Sequence, residues 1–292
     1  MLSTLLFSLF FETIEPSYGT FVQFVPAHIS TAAETEKAPR KRGDSLVPVI
    51  EAKSIYAIDL KTDTPLLARD IFTRRSIASI GKLITAMVIL DRHKLDEKII
   101  VSKNAAEEQG SKMGLKTGEE ITVENLLMGM LIASGNDAAK ALAEFDSGSE
   151  DVFVFKMNEK ARSLGLKDTH FSNAKGFDEP ENYSTAYDAS IFAKAALNYP
   201  FIRKTVALKT TTVTSASGKT KHLLESTNEL LENPYWKVVG LKTGRTPAAG
   251  QSFVALAEGP NGRNILTIVL DSPSRFKETK ILIDWILRNY EF

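Results

Sequence analysis

From Ala52 onward the apolar residues follow two different periods. "SIYAIDL" and "TPLLARD" flank "KTD", a pattern that predicts two strands joined by a tight turn. "SIGKLITAMVILDRH" carries apolar residues at helical spacing, and "VENLLMGMLIASGNDAAKALAEF" is a longer helical pattern. "DVFVFKMNEKARSLGL" and "YSTAYDASIFAKAALN" predict two further amphipathic helices. After Tyr235 the period changes. "YWKVVGLKTG", "QSFVALAEG" and "NILTIVLDS" are short β-type runs separated by Gly, Pro and Asn, and "ETKILIDWILRNY" closes as a helix. Strands at both ends with helices between them predict an α/β sandwich whose sheet joins the two ends of the chain. The body holds no internal repeat, no low-complexity run and no transmembrane pattern.

The N-terminal 45 residues differ from this body. "MLSTLLFSLFF" is apolar but too short to span a bilayer, Glu12 and Glu15 follow it, and the first basic residue is Lys37. It reads either as the remnant of a signal or anchor that starts upstream or as a disordered apolar tail. "TAAETEKAPRKRGD", Thr31 to Asp44, is polar and reads as a linker, its Lys37 to Arg42 basic cluster as part of a solvated tether. The expected division is therefore 1–45 as apolar segment plus linker and 46–292 as the folded domain, with no β-rich domain after it.

Composition removes several classes of function. Hydrophobic residues make up 43% of the 292 and charged residues 25%, the values of a globular protein. Lys plus Arg and Asp plus Glu are 36 each, so nothing global favours nucleic acid or an anionic surface as partner. The absence of Cys excludes disulfides, thiol nucleophiles and Cys-ligated zinc, and the four scattered His form no metal motif. Neither a metal nor another cofactor is expected.

Candidate chemistry begins in "RRSIASIGKLITAMVIL". Ser79 and Lys82 are three residues apart, so on a helix they share one face. Alone, the pair reads first as a capping Ser and a snorkelling Lys. Ser134-Gly135-Asn136 interrupts the second helical pattern with poor helix formers, which predicts a break that aims a hydroxyl and an amide at a common space, or a plain helix C-cap. Lys242-Thr243-Gly244 ends a predicted strand and offers a cation, a hydroxyl and an open backbone edge, groups that suit an extended peptide ending in a carboxylate. The same tripeptide at Lys116-Thr117-Gly118 leads into "EEITVENLL" and reads as a turn. A Ser hydroxyl needs an adjacent base, and with no His placed by any motif Lys82 is the candidate. It must then be neutral, which burial and a nearby cation such as Lys242 would favour.

Ser-x-x-Lys, Ser-x-Asn and Lys-Thr-Gly in this order resemble the penicillin-recognising serine D,D-carboxypeptidases, the low-molecular-mass penicillin-binding proteins of peptidase family S11. "AIDLKTDTPLLARD", "GSKMGLKTGEEITVENLLMGMLIASGNDAAKALAE", "MNEKARSLGLKDTHFSNAKGFDEPENYSTAYD" and "GLKTGRTPAAGQSFVALAE" extend the resemblance over about residues 50 to 290. It implies a β-lactamase/transpeptidase-like α/β fold: a five-stranded antiparallel sheet from both chain ends, flanked by helices, with an all-helical region in the middle. It also implies removal of the terminal D-alanine from peptidoglycan stem peptides through an acyl-enzyme, and slow-turnover acylation by β-lactams. Ser79 would be the nucleophile, Lys82 its base and Ser134 the proton relay. Asn136 would bind substrate backbone, and Lys242, Thr243 and Gly244 the terminal carboxylate. Backbone N–H groups of Ser79 and Arg245 would hold the oxyanion. Such a protein acts outside the cytoplasmic membrane, as a monomer, touching the membrane only through an N-terminal anchor.

The chain departs from the family pattern at Ile77 (commonly Pro), Gly81 (commonly Thr) and Thr227 (Arg in some relatives). Gly81 would cost a helix roughly 1 kcal/mol against Ala. With Thr227 in place of Arg, Arg275 becomes a candidate for gripping the carboxylate. Three other readings stay open: a D,D-endopeptidase cutting cross-links, a class A β-lactamase using Glu179 or Glu181 of "DEPEN", and a cell-wall binder with an inactive site. "SASGKT" lacks the leading Gly of a phosphate-binding loop, Val213 standing there.

Overall fold

Both faces of the central sheet are covered, which is why its strands read as nearly continuous apolar runs. The computed structural model describes residues 37–292; the apolar stretch at the N-terminus and the start of the linker lie outside them. A two-residue strand β1 (Arg40–Lys41) precedes the hairpin β2 (Ser54–Asp59) and β3 (Thr64–Arg69), whose turn is held by Asp59, its carboxylate accepting from Thr62 N at 3.0 Å. The middle of the chain is mostly helical: α1 (Lys82–Arg92), β4 (Lys98–Ile100), α2 (Lys103–Ala106), β5 (Glu120–Thr122), α3 (Val123–Ile132), α4 (Asn136–Ser147), α5 (Glu150–Ser163), α6 (Ala186–Ala196) and α7 (Pro200–Val206). Then come the hairpin β6 (Thr210–Thr214) and β7 (Lys221–Glu225), the long strands β8 (Val238–Thr246), β9 (Gly250–Glu258) and β10 (Asn264–Ser272), helix α8 (Arg275–Asn289) and the short β11 (Tyr290–Glu291).

The five-stranded sheet has the order β3-β2-β10-β9-β8, antiparallel throughout, so both chain ends build it as expected. Period-2 alternation splits its side chains between two cores. Ile55, Ala57, Ile265 and Val269 meet Leu282 and Ile286 of α8. Tyr56, Ile58, Leu266, Ile268 and Leu270 join the larger helical core around α1, in which every position from Leu83 to Ile89 is buried. Hydroxyl side chains start four of the helices: Ser102, Thr122, Ser149 and Thr185 each accept the backbone N–H three residues on.

Three features were not legible from periodicity. The hairpin β6–β7 alternates Thr with few apolar residues, so it carries little hydrophobic signal; "SASGKT" is its turn, with Gly218 N donating to Ser215 O. The pairing of β4 with β5 and the short helix α7 are equally quiet in sequence. The segment read as a solvated tether is also docked from Lys37 on. Arg40 and Lys41 pair with Glu291 and Tyr290, Arg42 N donates to Asn289 O, and Arg263 donates to Lys37 O. Backbone pairing does not depend on side-chain polarity, so a charged sequence can close a sheet edge. The earlier Lys116-Thr117-Gly118 is a turn, with Gly118 at φ 78°.

Candidate active site

Ser79 sits in a 3₁₀ turn, Ala78–Gly81, that runs directly into α1, whose first residue is Lys82. Ala78 holds φ 48°, a left-handed conformation that a β-carbon makes costly and that neighbouring contacts must maintain. Lys82 is entirely buried, and its Nζ lies 2.7 Å from Ser79 Oγ, 2.7 Å from Asn136 Oδ1 and 2.6 Å from the Lys175 carbonyl. The Asn136 amide is oriented by its Nδ2, which donates to Gln109 O at 2.7 Å. Two of the three oxygens around Nζ can therefore only accept, while the Ser79 hydroxyl can also donate. Lys82 donates to the two acceptors in either protonation state. As an ammonium it also donates to Ser79 Oγ, and as a neutral amine it turns its lone pair to that hydroxyl and can receive its proton. Burial pushes the Lys82 pKa well below its ordinary value, the Lys242 and Lys175 ammoniums push the same way, and Asp137 opposes them.

The break in the second helical pattern falls where expected. Ser134 has φ 59° between α3 and α4, and its Oγ accepts from Lys242 Nζ at 2.9 Å. Asp137, beside Asn136, ties the Met113–Leu115 segment in place, accepting from the N–H groups of Met113, Gly114 and Leu115 at 2.9–3.1 Å. Asn136 is thereby held from both sides, since its own N–H donates to Ser111 O.

Lys242, Thr243 and Gly244 lie on β8, the last strand of the sheet, so among the described residues one backbone edge of this strand has no sheet partner. Lys242 is buried, and burial followed by the Arg275 charge lowers its pKa to about 7. Thr243 Oγ1 is 2.6 Å from Thr227 Oγ1. Gly244 lets β8 press against the Ser79 turn: a Cβ there would stand 2.9 Å from Ile77 O and 3.2 Å from Ser79 N. Arg245 follows on the exposed rim. Arg275 at the start of α8 donates to Gly244 O at 2.9 Å and stacks on Phe276, placing it beside the same strand. The fold thus brings together Ser79, Lys82, Ser134, Asn136 and Lys242 and sets Thr243, Gly244, Arg245 and Arg275 along one edge.

Gly81 acquires a reason. A Cβ on it would lie 3.1 Å from Phe171 Cε1, so the ring occupies the space a side chain would need. Glu179 and Glu181 line a cleft of about 720 Å³ with Arg74, Ser76, Asp178 and Tyr183, and none of the clustered residues lines it. Among the described residues the hydrogen bonds of these two glutamates run through their backbone carbonyls, to Asn182 N and His170 Nδ1.

Sequence reasoning missed the loop from Asn173 to Asp178. Gly176, at φ 87°, packs so closely on the Ser79 turn that a Cβ would stand 2.1 Å from Ala78 O. Asn173 Oδ1 accepts from Gly176 N at 2.7 Å and Phe177 N at 2.9 Å. Asp178 accepts from Ser76 Oγ at 3.0 Å and Ala248 N at 3.0 Å and also bonds Thr246 Oγ1, linking the Ser79 turn to the end of β8. Asn-Ala-Lys-Gly is a turn signal, but nothing in it says which helix the turn will meet.

A two-sided α/β fold of this topology defines a class, and solved structures place the chain in it. The Streptomyces K15 DD-transpeptidase superposes with a TM-score of 0.78 at 30% identity, covering 84% of this chain and all of that one. A penicillin-binding protein homolog from Mycobacterium tuberculosis gives 0.77 at 31%, covering 84% and 95%. The class is the β-lactamase/transpeptidase-like fold. Within it, the sequence model of the D-alanyl-D-alanine carboxypeptidases, peptidase S11, matches residues 40–274, and the chain belongs to that family. It is 38% identical over 248 residues to D-alanyl-D-alanine carboxypeptidase DacF of Bacillus subtilis, covering 82% of this chain and 63% of that protein. It is 35% identical over 243 residues to the D-alanyl-D-alanine carboxypeptidase of Streptomyces sp. K15, covering 78% and 83%. The chain spans 63–65% of the length of the DacF and DacD relatives it matches.

Proposed function

We propose that this chain is a serine D,D-carboxypeptidase that removes the terminal D-alanine of peptidoglycan stem peptides and is acylated by β-lactams. The observation that carries this reading is the set of oxygens around Lys82 Nζ: two obligate acceptors and one hydroxyl able to donate. In the proposed sequence Ser79 Oγ attacks the carbonyl between the two D-alanines and its proton passes to neutral Lys82. The oxyanion is held by the N–H groups of Ser79 and Arg245. Ser134, bonded to Lys242, relays a proton to the leaving D-alanine nitrogen as the C–N bond breaks. Asn136 orients substrate backbone, and Lys242, Thr243 and Arg275 hold the terminal carboxylate against β8. Water then hydrolyses the Ser79 ester. No cofactor enters. The proposed catalytic unit is residues 46–292, and because the stem peptide lies outside the cytoplasmic membrane, so does the proposed site of action. Among the described residues no helix is long and apolar enough to cross a membrane.

Intact mass after incubation with a penicillin, wild type beside Ser79→Ala, tests the reading. A stable adduct on the wild type alone is expected. No adduct on either makes the protein a wall binder, and rapid turnover abolished by Glu181→Ala makes it a lactamase. Release of D-alanine from a defined stem peptide, with cross-linked muropeptides left intact, separates the carboxypeptidase from an endopeptidase.

A further inference from the structure

The two obligate acceptors on Lys82 both lead to a single buried ion cluster, one directly and one through Gln109. One acceptor is the backbone carbonyl of Lys175, whose own ammonium lies 2.9 Å from both Glu108 and Glu150. The other is Asn136 Oδ1, fixed by the carbonyl of Gln109, the neighbour of Glu108. Glu150 adds a second grip on the first acceptor's loop, because its other oxygen takes the Ala174 N–H at 2.9 Å. Glu108 likewise takes the Gln109 N–H at 3.0 Å. Lys140 closes the cluster, 3.0 Å from Glu108 and 4.0 Å from Glu150. The Lys175 side chain is 8% exposed and Glu108 9%, so water screens these charges weakly.

We propose that Lys175 is a positioning residue for the Ser79–Lys82 pair: its ammonium, shared by Glu108 and Glu150, locks together the two segments whose oxygens aim Lys82 at the Ser79 hydroxyl. Phe177, 5.2 Å from the ammonium, packs on the same group. The cluster also sets the charge that Lys82 feels. Facing Lys82 are Lys175, Lys242 and Asp137, while Glu108, Glu150 and Lys140 face Lys175. Loss of the Lys175 ammonium therefore makes the surroundings of Lys82 more negative, and loss of the Glu108 carboxylate makes them more positive. The two changes must move the protonation of Lys82 in opposite directions.

This rests on the reading of Ser79 and Lys82 as nucleophile and base. The test is the acylation rate by a fluorescent penicillin from pH 5 to 10 for wild type, Lys175→Met, Lys175→Arg and Glu108→Gln, with intact mass and thermal unfolding of each. The acid limb of the Lys175→Met profile should move up by roughly half a pH unit or more, which is about a threefold loss of rate at fixed pH on that limb. Its plateau should fall by about tenfold or more through misplacement of Lys82. Lys175→Arg should restore both within about threefold, and Glu108→Gln should move the limb down. If Lys175→Met and Glu108→Gln lose thermal stability but keep the wild-type limb, the cluster is only structural and the inference fails. Limbs shifted in the same direction also overturn it. A wild type that forms no Ser79 adduct at any pH overturns the proposed function instead.

Discussion

Gly176→Ala tests how tightly the fold holds the Ser79 turn. Gly176 has φ 87°, and the added Cβ would lie 2.1 Å from Ala78 O, 2.3 Å from Ala78 C and 2.7 Å from Ser79 N. The left-handed conformation costs an L-residue about 1–2 kcal/mol. All three near atoms are backbone, so no rotamer change relieves the overlap, and overpacking of this kind costs a further ~1–3 kcal/mol. The sum is about 2–5 kcal/mol. At about 2–4 °C per kcal/mol for a domain of this size, a loss near 3 kcal/mol lowers Tm by about 6–12 °C. Gly218→Ala is the control: its φ is 71°, but nothing lies within 4 Å, so only the conformational cost applies. Because the atoms displaced at Gly176 include the Ser79 N–H, acylation of the fraction still folded should fall by about 10- to 100-fold. Differential scanning calorimetry and the initial rate of labelling by a fluorescent penicillin measure the two effects. A Gly176→Ala protein no less stable than Gly218→Ala, and labelled at the wild-type rate, would refute the close packing of this loop on the nucleophile turn.

Lys242 carries a pH signature. Its folded pKa of about 7 lies below the ordinary 10.5, so between those values the unfolded chain binds the extra proton and stability rises with pH. Lys242→Met removes that contribution; urea unfolding at pH 7, 8.5 and 10 should show a wild-type advantage that grows with pH, and parallel curves would contradict it. Since the ammonium form is proposed to bind the substrate carboxylate, kcat/KM for a D-Ala-D-Ala peptide should also decline as pH rises above about 7, with kcat affected less. At Gly81 an Ala needs only a small shift of Phe171, offset by up to about 1 kcal/mol of unfolded-state entropy. Gly81→Thr should therefore lower Tm where Gly81→Ala does not, and Phe171→Leu in the Thr background should recover part of the loss; equal Tm values for all three would remove the steric account. Asp178→Ala breaks the bonds to Ser76, Thr246 and Ala248 and should cost roughly 2–3 kcal/mol by urea unfolding, with under ~0.5 kcal/mol counting against the link.

Much of the fold was legible because each element states its own period. The six-residue strands of the first hairpin, the buried α1 and the three long C-terminal strands all stand where alternation or helical spacing put them. What escaped were elements without an apolar period, such as the Thr-rich hairpin and the charged β1, which are held by backbone pairing. The site divides in the same way. Ser79 and Lys82 are three residues apart, and local geometry alone puts them side by side. Ser134 to Asn136 announce a helix break through composition.

Local spacing could not say that the third oxygen on Lys82 Nζ is a backbone carbonyl, that of Lys175, 93 residues beyond Lys82. Nor could it place Arg275 beside Gly244, Phe171 over Gly81, or Glu108 and Glu150 around one ammonium. The sequence by itself determined which residue types stand at which step of a helix or strand, because those periods are fixed by covalent geometry and backbone hydrogen bonding. Only the tertiary structure decided which carbonyls, rings and charges face them. Such contacts join segments far apart in the chain, and their selection belongs to the packing of the two cores.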